Sequence, residues 1–227
     1  MCLSKRHLIT SLSSPFRASR STGRGKAAPL NLHVMRNNTL PLSYWTLAAQ
    51  FLRLAHESCV EIINSGNKFM VTGAKPISQF EFNQAVRWSD HAIGTGVLFS
   101  YYHGIELILK GFLVAVDVRA PHHKLTGLLK DFHSRFPGTE LGKAISSALP
   151  QAGADSPMAR FLASNSIQID DWYEALKYPE SKNGATFDHY DLKFGGESTL
   201  PFWTSVHASS FDIHSKAVAL SRHHGYA

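Results

Sequence analysis

Cysteine is almost missing from this chain of 227 residues, which holds only Cys2 and Cys59. Two thiols, one in a polar N-terminal stretch and one inside a helical pattern, cannot build a disulfide framework or a cysteine zinc site. A reducing, cytoplasmic setting is the expectation. Acidic residues are missing from the first 35 positions, which contain Lys5, Arg6, Arg17, Arg20, Arg24 and Lys26. The formal charge of +6 belongs to that stretch alone, because the remainder carries 17 basic and 17 acidic residues. A neutral body withdraws the nucleic-acid or membrane inference that a basic chain otherwise invites.

An uninterrupted apolar run is also lacking. The most apolar stretch, Leu98 to Val116, contains Glu106 and Lys110, charges that a bilayer centre penalises. It reads as a buried helix, with no membrane partner. The familiar catalytic signatures are absent as well: no Walker loop, no Gly-x-Ser-x-Gly, and no later glycine after Gly94-Thr95-Gly96 to complete a dinucleotide loop. His56-Glu57 has no histidine four residues after His56, and neither His122, His123 and His133 nor His207 and His214 show zinc-ligand spacing. No metal and no cofactor are expected.

Residues 1–40 offer Ser, Gly, Pro and Arg without periodicity and read as a disordered basic arm. An Arg- and Ser-rich start without acids also fits a mitochondrial transit peptide, and an upstream gene-model extension with translation beginning at Met35 fits equally well. Residues 41–227 read as a single helical domain. Apolar residues recur at three and four from Leu42 to Asn64 (Leu47, Ala48, Phe51, Leu54, Ala55, Cys59, Ile62), and Gly66 supplies a stop. Ser78 to His91 is a weaker helix, and Gly94 to Val116 is a long one, apolar on several sides, suited to a bundle centre.

Shorter helices follow at Lys124 to Phe136, at Glu140 to Leu149 with Thr139 as cap, and from Pro157, with Asp155 or Ser156 before it. Another is expected at Trp172 to Leu176, with Asp170 and Asp171 beside its first amides. Residues 184–199 form a long loop with room for an extended piece at Thr186 to Phe194. A last helix runs from Pro201 to Arg222, capped by Ser198 or Thr199. No run of alternating strands occurs, so the fold class is all-α, a helical bundle with long loops.

Chemistry concentrates at few positions. Glu106 and Lys110 stand four apart on one helical face; a structural ion pair is the ordinary reading and a cleft or interface role the other. Arg119, His122, His123 and Lys124 gather in the loop after the central helix, where phosphate contact or proton transfer competes with plain capping. The aromatics Trp172, Tyr173, Tyr178, Tyr190 and Trp203 would stack on bases if exposed beside positive charge, and would otherwise be core.

The stretch Tyr102-His103-Gly104-Ile105-Glu106-Leu107-Ile108-Leu109-Lys110-Gly111-Phe112-Leu113, followed by His123-Lys124-Leu125 and Leu128-Leu129, resembles a HEPN domain. Trp172-Tyr173-Glu174-Ala175-Leu176-Lys177-Tyr178-Pro179 is similar to a later segment of that family. The resemblance implies an up-and-down helical bundle, often a homodimer, in a family of metal-independent ribonucleases of toxin and defence systems and of noncatalytic binding domains. Family nucleases carry Arg-x(4–6)-His near the last helix. No arginine of the body has a histidine at that spacing, and Arg119 with His123 matches neither position nor spacing.

The leading expectation is therefore a noncatalytic HEPN-like protein that binds a partner protein, a second copy of itself, or an RNA or nucleotide. A ribonuclease with a divergent site is the alternative, and a purely structural scaffold the third. Glu106, Lys110, Arg119, His123, Lys177 and Tyr178 are the candidate ligand or interface residues.

Overall fold

The computed structural model describes residues 32–226 apart from 74 and 152, with side chains from residue 39 onward. Of the arm expected over residues 1–40, residues 1–31 lie outside the described residues, and the rest is helical. The described chain is an all-α bundle with long connections, and its only extended pairing is one isolated bridge between Glu180 and Thr186.

Helix α1 (Leu32–Asn64) runs through Pro41, although the apolar stripe was read from Leu42. A proline there removes one intrahelical bond; helix continues on both sides of it. Ser78 opens α2 (Gln79–Val86) with a capping box in which the Glu81 carboxylate accepts from the Ser78 backbone N–H at 2.8 Å. A wide π-helical turn at Asp90–Gly94 then feeds the central helix α3 (Thr95–Ala115). The run Asp90–Ala115 is long and apolar enough to cross a membrane by length and composition, yet 78% of its apolar window is buried inside this fold.

Paired contacts give the directions. Leu52 of α1 meets Gly104 of α3 while Trp45 meets Gly111, so α1 and α3 are antiparallel. His56 of α1 stacks on His207 of α9 (Leu200–His223) while Trp45 approaches Tyr226, so α1 and α9 are antiparallel too. The apolar face of α1 (Ala48, Leu52, Ala55, Cys59, Ile62) is thereby fully buried, and burial pushes the Cys59 thiol up to about 12, which leaves it inert.

After α3 the chain reverses at Asp117 (φ 59°) and retraces the helix as far as Glu106 before α4 (Leu125–Arg135) starts. Helix α4 then climbs beside α3, with Phe132 against Phe112 at 5.7 Å. These two neighbours run in the same sense, a departure from a strict up-and-down order. Helices α5 (Glu140–Ala148) and α6 (Pro157–Ser164) carry the expected Thr139 and Ser156 caps.

Three expectations are corrected. Asp170 does not serve the helix that follows it; its carboxylate accepts from the backbone N–H and hydroxyl of Thr126 and so caps α4. The extended piece expected at Thr186 to Phe194 is confined to the bridge at Thr186, because Tyr190–Lys193 forms a short helix, α8, that buries Leu192. Thr199 does not cap α9: its hydroxyl is drawn into a buried knot.

In that knot Asn67 (φ 51°) donates to Asp90 Oδ2, Gly196 O and Thr199 Oγ1, each at 2.8 Å, and accepts from the Asp90 backbone N–H at 2.6 Å. Burial raises the Asp90 carboxyl, with the Asn67 and Thr199 hydrogen bonds opposing it. Three segments far apart in sequence are thus tied at one point, and the long 184–199 connection is packed down.

Candidate functional site

Glu106 sits on the middle turns of α3 with only 1% of its side chain exposed. A lone buried carboxylate is costly; this one accepts three donors. Lys110 Nζ, one turn on, donates to Oε1 at 2.6 Å; His123 Nδ1 reaches the same oxygen at 2.8 Å; His103 Nδ1, one turn back, reaches Oε2 at 3.0 Å. Burial pushes the Glu106 carboxyl up, but the bonds from His103 and Lys110 and the charges of Lys110 and His123 outweigh it and hold the group below the usual range.

A carboxylate can only accept, so both histidines present Nδ1–H to it and keep Nε2 out of that bond. His123 is the more open, with 43% of its side chain exposed. Two further contacts fix it. The indole N–H of buried Trp172, on α7 (Trp172–Ala175), donates to the His123 carbonyl at 2.9 Å, and the Tyr173 ring stacks on the imidazole with centroids 4.0 Å apart and planes 15° off parallel.

From Tyr173 the series continues to the surface. Lys177 Nζ donates to the Tyr173 hydroxyl at 3.1 Å, lies 4.8 Å from the Tyr173 ring centroid, and lies 5.2 Å from that of exposed Tyr178. Its bond to Tyr173 first, and Tyr178 next, holds the ammonium above the usual lysine range. The result is a row of three rings with one ammonium among them: His123, Tyr173, Lys177, Tyr178. Beside its outer end a cleft of about 310 Å³ opens between the start of α3 and residues 176–179, lined by Lys177, Tyr178, His91, His189 and Lys193.

Five of the six candidate residues are therefore joined: Glu106, Lys110 and His123 directly, Lys177 and Tyr178 through Tyr173. Arg119 is not. It is exposed, and among the described residues no bond, ion pair or ring contact links it to the others, because the reversal at Asp117 and Pro121 separates it from His123. Sequence reasoning missed His103, three residues before Glu106 and so on the same face, and Lys193, which only the packing of α8 brings to the cleft. Among the described residues no group of three or more His, Cys, Asp or Glu side chains is placed to hold a metal ion.

The three segments quoted for the HEPN resemblance, 102–113, 123–129 and 172–179, meet at this cluster. Comparison with family models, with curated proteins and with solved structures returns no match.

Proposed function

We propose that this chain is a HEPN-like helical protein that binds single-stranded RNA or a nucleotide and leaves it intact. The observation that carries the reading is the row of His123, Tyr173, Lys177 and Tyr178, three rings with one ammonium among them, on an otherwise charge-balanced body. The exposed Tyr178 ring gives a base a stacking surface, and the Lys177 ammonium beside it meets phosphate. The buried Glu106 and Lys110 pair anchors the inner end of the row.

The test is calorimetric titration of the full chain with an oligouridylate at low salt in chelator. Wild type binds; Tyr178→Ala weakens binding by about 1–3 kcal/mol, the worth of one stacked base. Lys177→Ala weakens it and lowers the slope of log affinity against log salt by about 1. Absence of binding, or binding that both variants retain in full, overturns the reading, the latter because it would belong to the basic N-terminal stretch.

A second reading has its own support. Glu106 orients His123 by its Nδ1–H and leaves Nε2 out of that bond, the posture of a general base. RNA cleavage in chelator that Glu106→Gln and His123→Ala both abolish would select a divergent ribonuclease.

The reading includes a homodimer. Leu40, Leu47 and Leu54 are exposed on α1 at seven-residue spacing, the seam of a paired helix. Sedimentation should give a dimer that Leu47→Glu dissociates; a wild-type monomer at working concentration removes this element.

A further inference from the structure

The cleft beside Tyr178 differs chemically from the row that leads to it. We infer that it takes the terminal phosphomonoester of an RNA strand whose bases stack on the row, an inference that rests on the proposed RNA-binding reading. Its lining contains two ammonium groups, Lys177 and Lys193, and the imidazole of His91, and no carboxylate. Acids close by in the chain are otherwise engaged: Asp90, beside His91, accepts from Asn67 and Thr199, Asp191 pairs with Arg160, and Asp188 Oδ1 accepts from the Tyr190 backbone N–H.

Two polar groups in the wall are unspent. Lys193 makes no ion pair among the described residues, and its half-buried position leaves it less water than a free surface lysine has. The Thr95 hydroxyl is buried without a hydrogen-bond partner among the described residues, which is unusual for a group that commonly returns to its own helix. An oxygen placed in the cleft would supply the missing partner.

His189 is part of the wall rather than a ligand, because its ring nitrogens face the Ala175 carbonyl at 2.7 Å and the Phe187 carbonyl at 3.2 Å. His91 is exposed, with its ring against Phe194 at 5.1 Å and, among the described residues, no hydrogen bond at its ring nitrogens. Thus the groups available to a ligand are the Lys177 and Lys193 ammoniums, the His91 imidazole and the Thr95 hydroxyl.

Charge selects the form of phosphate. A phosphomonoester carries about −1.5 to −2 near neutral pH and three acceptor oxygens, which matches two ammoniums plus a hydroxyl. An internal diester carries a single charge and two free oxygens. The cleft therefore fits a strand end better than a strand interior, and the stacking row beside it receives the bases that follow.

The experiment titrates the full chain with one oligouridylate in three forms, bearing a 5′-phosphate, a 3′-phosphate or neither, by calorimetry at fixed salt. One phosphorylated form should bind about tenfold more tightly than the unphosphorylated strand, the scale of one charge-assisted hydrogen bond. Lys193→Ala and Thr95→Val should each remove most of that gain while leaving the unphosphorylated strand's affinity unchanged. Inorganic phosphate should compete against the favoured form and not against the strand without it.

Equal affinity for all three strands overturns this inference and leaves the RNA-binding reading in place. A gain that survives in Lys193→Ala also overturns it, since the phosphate then sits elsewhere. No binding of any strand removes the underlying reading as well. Unchanged thermal unfolding of the Lys193→Ala variant shows that its loss is local.

Discussion

Replacing Glu106 with alanine lowers the unfolding free energy by about 3–5 kcal/mol, because it strands Lys110 inside the bundle without its counter-charge. The side chain of Lys110 is only 12% exposed, and among the described residues Glu106 Oε1 at 2.6 Å is its one anion. Glu106→Gln should cost nearly as much: the amide keeps the shape but loses the charge, and its NH2 group faces donors. A double-mutant cycle with Lys110→Met separates the pair from its surroundings, since apolar replacement of both partners can be close to neutral. Urea unfolding measures all four proteins. A loss below about 1 kcal/mol for Glu106→Ala would show that the pair behaves as an exposed one.

The same carboxylate makes stability depend on acid. Its folded-state value lies below the usual one, so its contribution is complete above the unfolded value of about 4.3 and is lost as pH falls through the lower folded value. Wild type should therefore lose stability in that acid window more steeply than Glu106→Gln, and parallel curves for the two proteins would contradict the assignment.

Gly111→Leu should destabilise the bundle by about 3–5 kcal/mol, the cost of expelling a packed tryptophan. A Cβ at Gly111 would lie 2.4 Å from Trp45 Nε1 and 2.6 Å from Cδ1. The indole cannot swing away cheaply, for it is held against Phe112 at 4.8 Å and Tyr226 at 5.9 Å. One heptad earlier, Gly104 makes room for Leu52, whose Cγ would be 2.7 Å and backbone nitrogen 3.2 Å from an added Cβ. The two glycines thus form the groove in which α1 lies on α3. Gly96→Ala in the same helix meets nothing within 4 Å and should be neutral, or stabilise by up to about 1 kcal/mol through helix propensity. If Gly111→Leu unfolds at the same temperature as Gly96→Ala, the close approach of the helices is wrong.

Much of the fold was legible because local rules act on single elements. The three-four spacing located α1, α3, α4 and α9, the Thr139 cap marked α5, and Ser78, Thr139 and Ser156 stand where helix starts need acceptors. The Glu106 and Lys110 pair was legible for the same reason, being one turn apart. What periodicity cannot carry is the path between helices. His123 and Arg119 are equally plausible in sequence, and only the backtracking 116–124 connection decides that the first meets Glu106 while the second faces solvent.

Competition between local and distant partners explains the other differences. Thr199 is a good cap by type, yet Asn67 and Asp90 engage its hydroxyl first. Asp170 would serve its own helix by proximity, but Thr126 offers two donors at once. Residues 186–194 lack a pairing strand beyond one bridge, so burying Leu192 favours a helical turn.

The Asn67 knot has a consequence for how the chain tolerates change. Asn67 and Asp90 are fastened to one another, so the excursion between them is a closed loop whose ends do not move. It carries exposed Met70, Val71, Ile77 and Phe80, and the bundle core does not depend on its length. New termini could be opened there by circular permutation, or a foreign segment inserted, with the helices keeping their register.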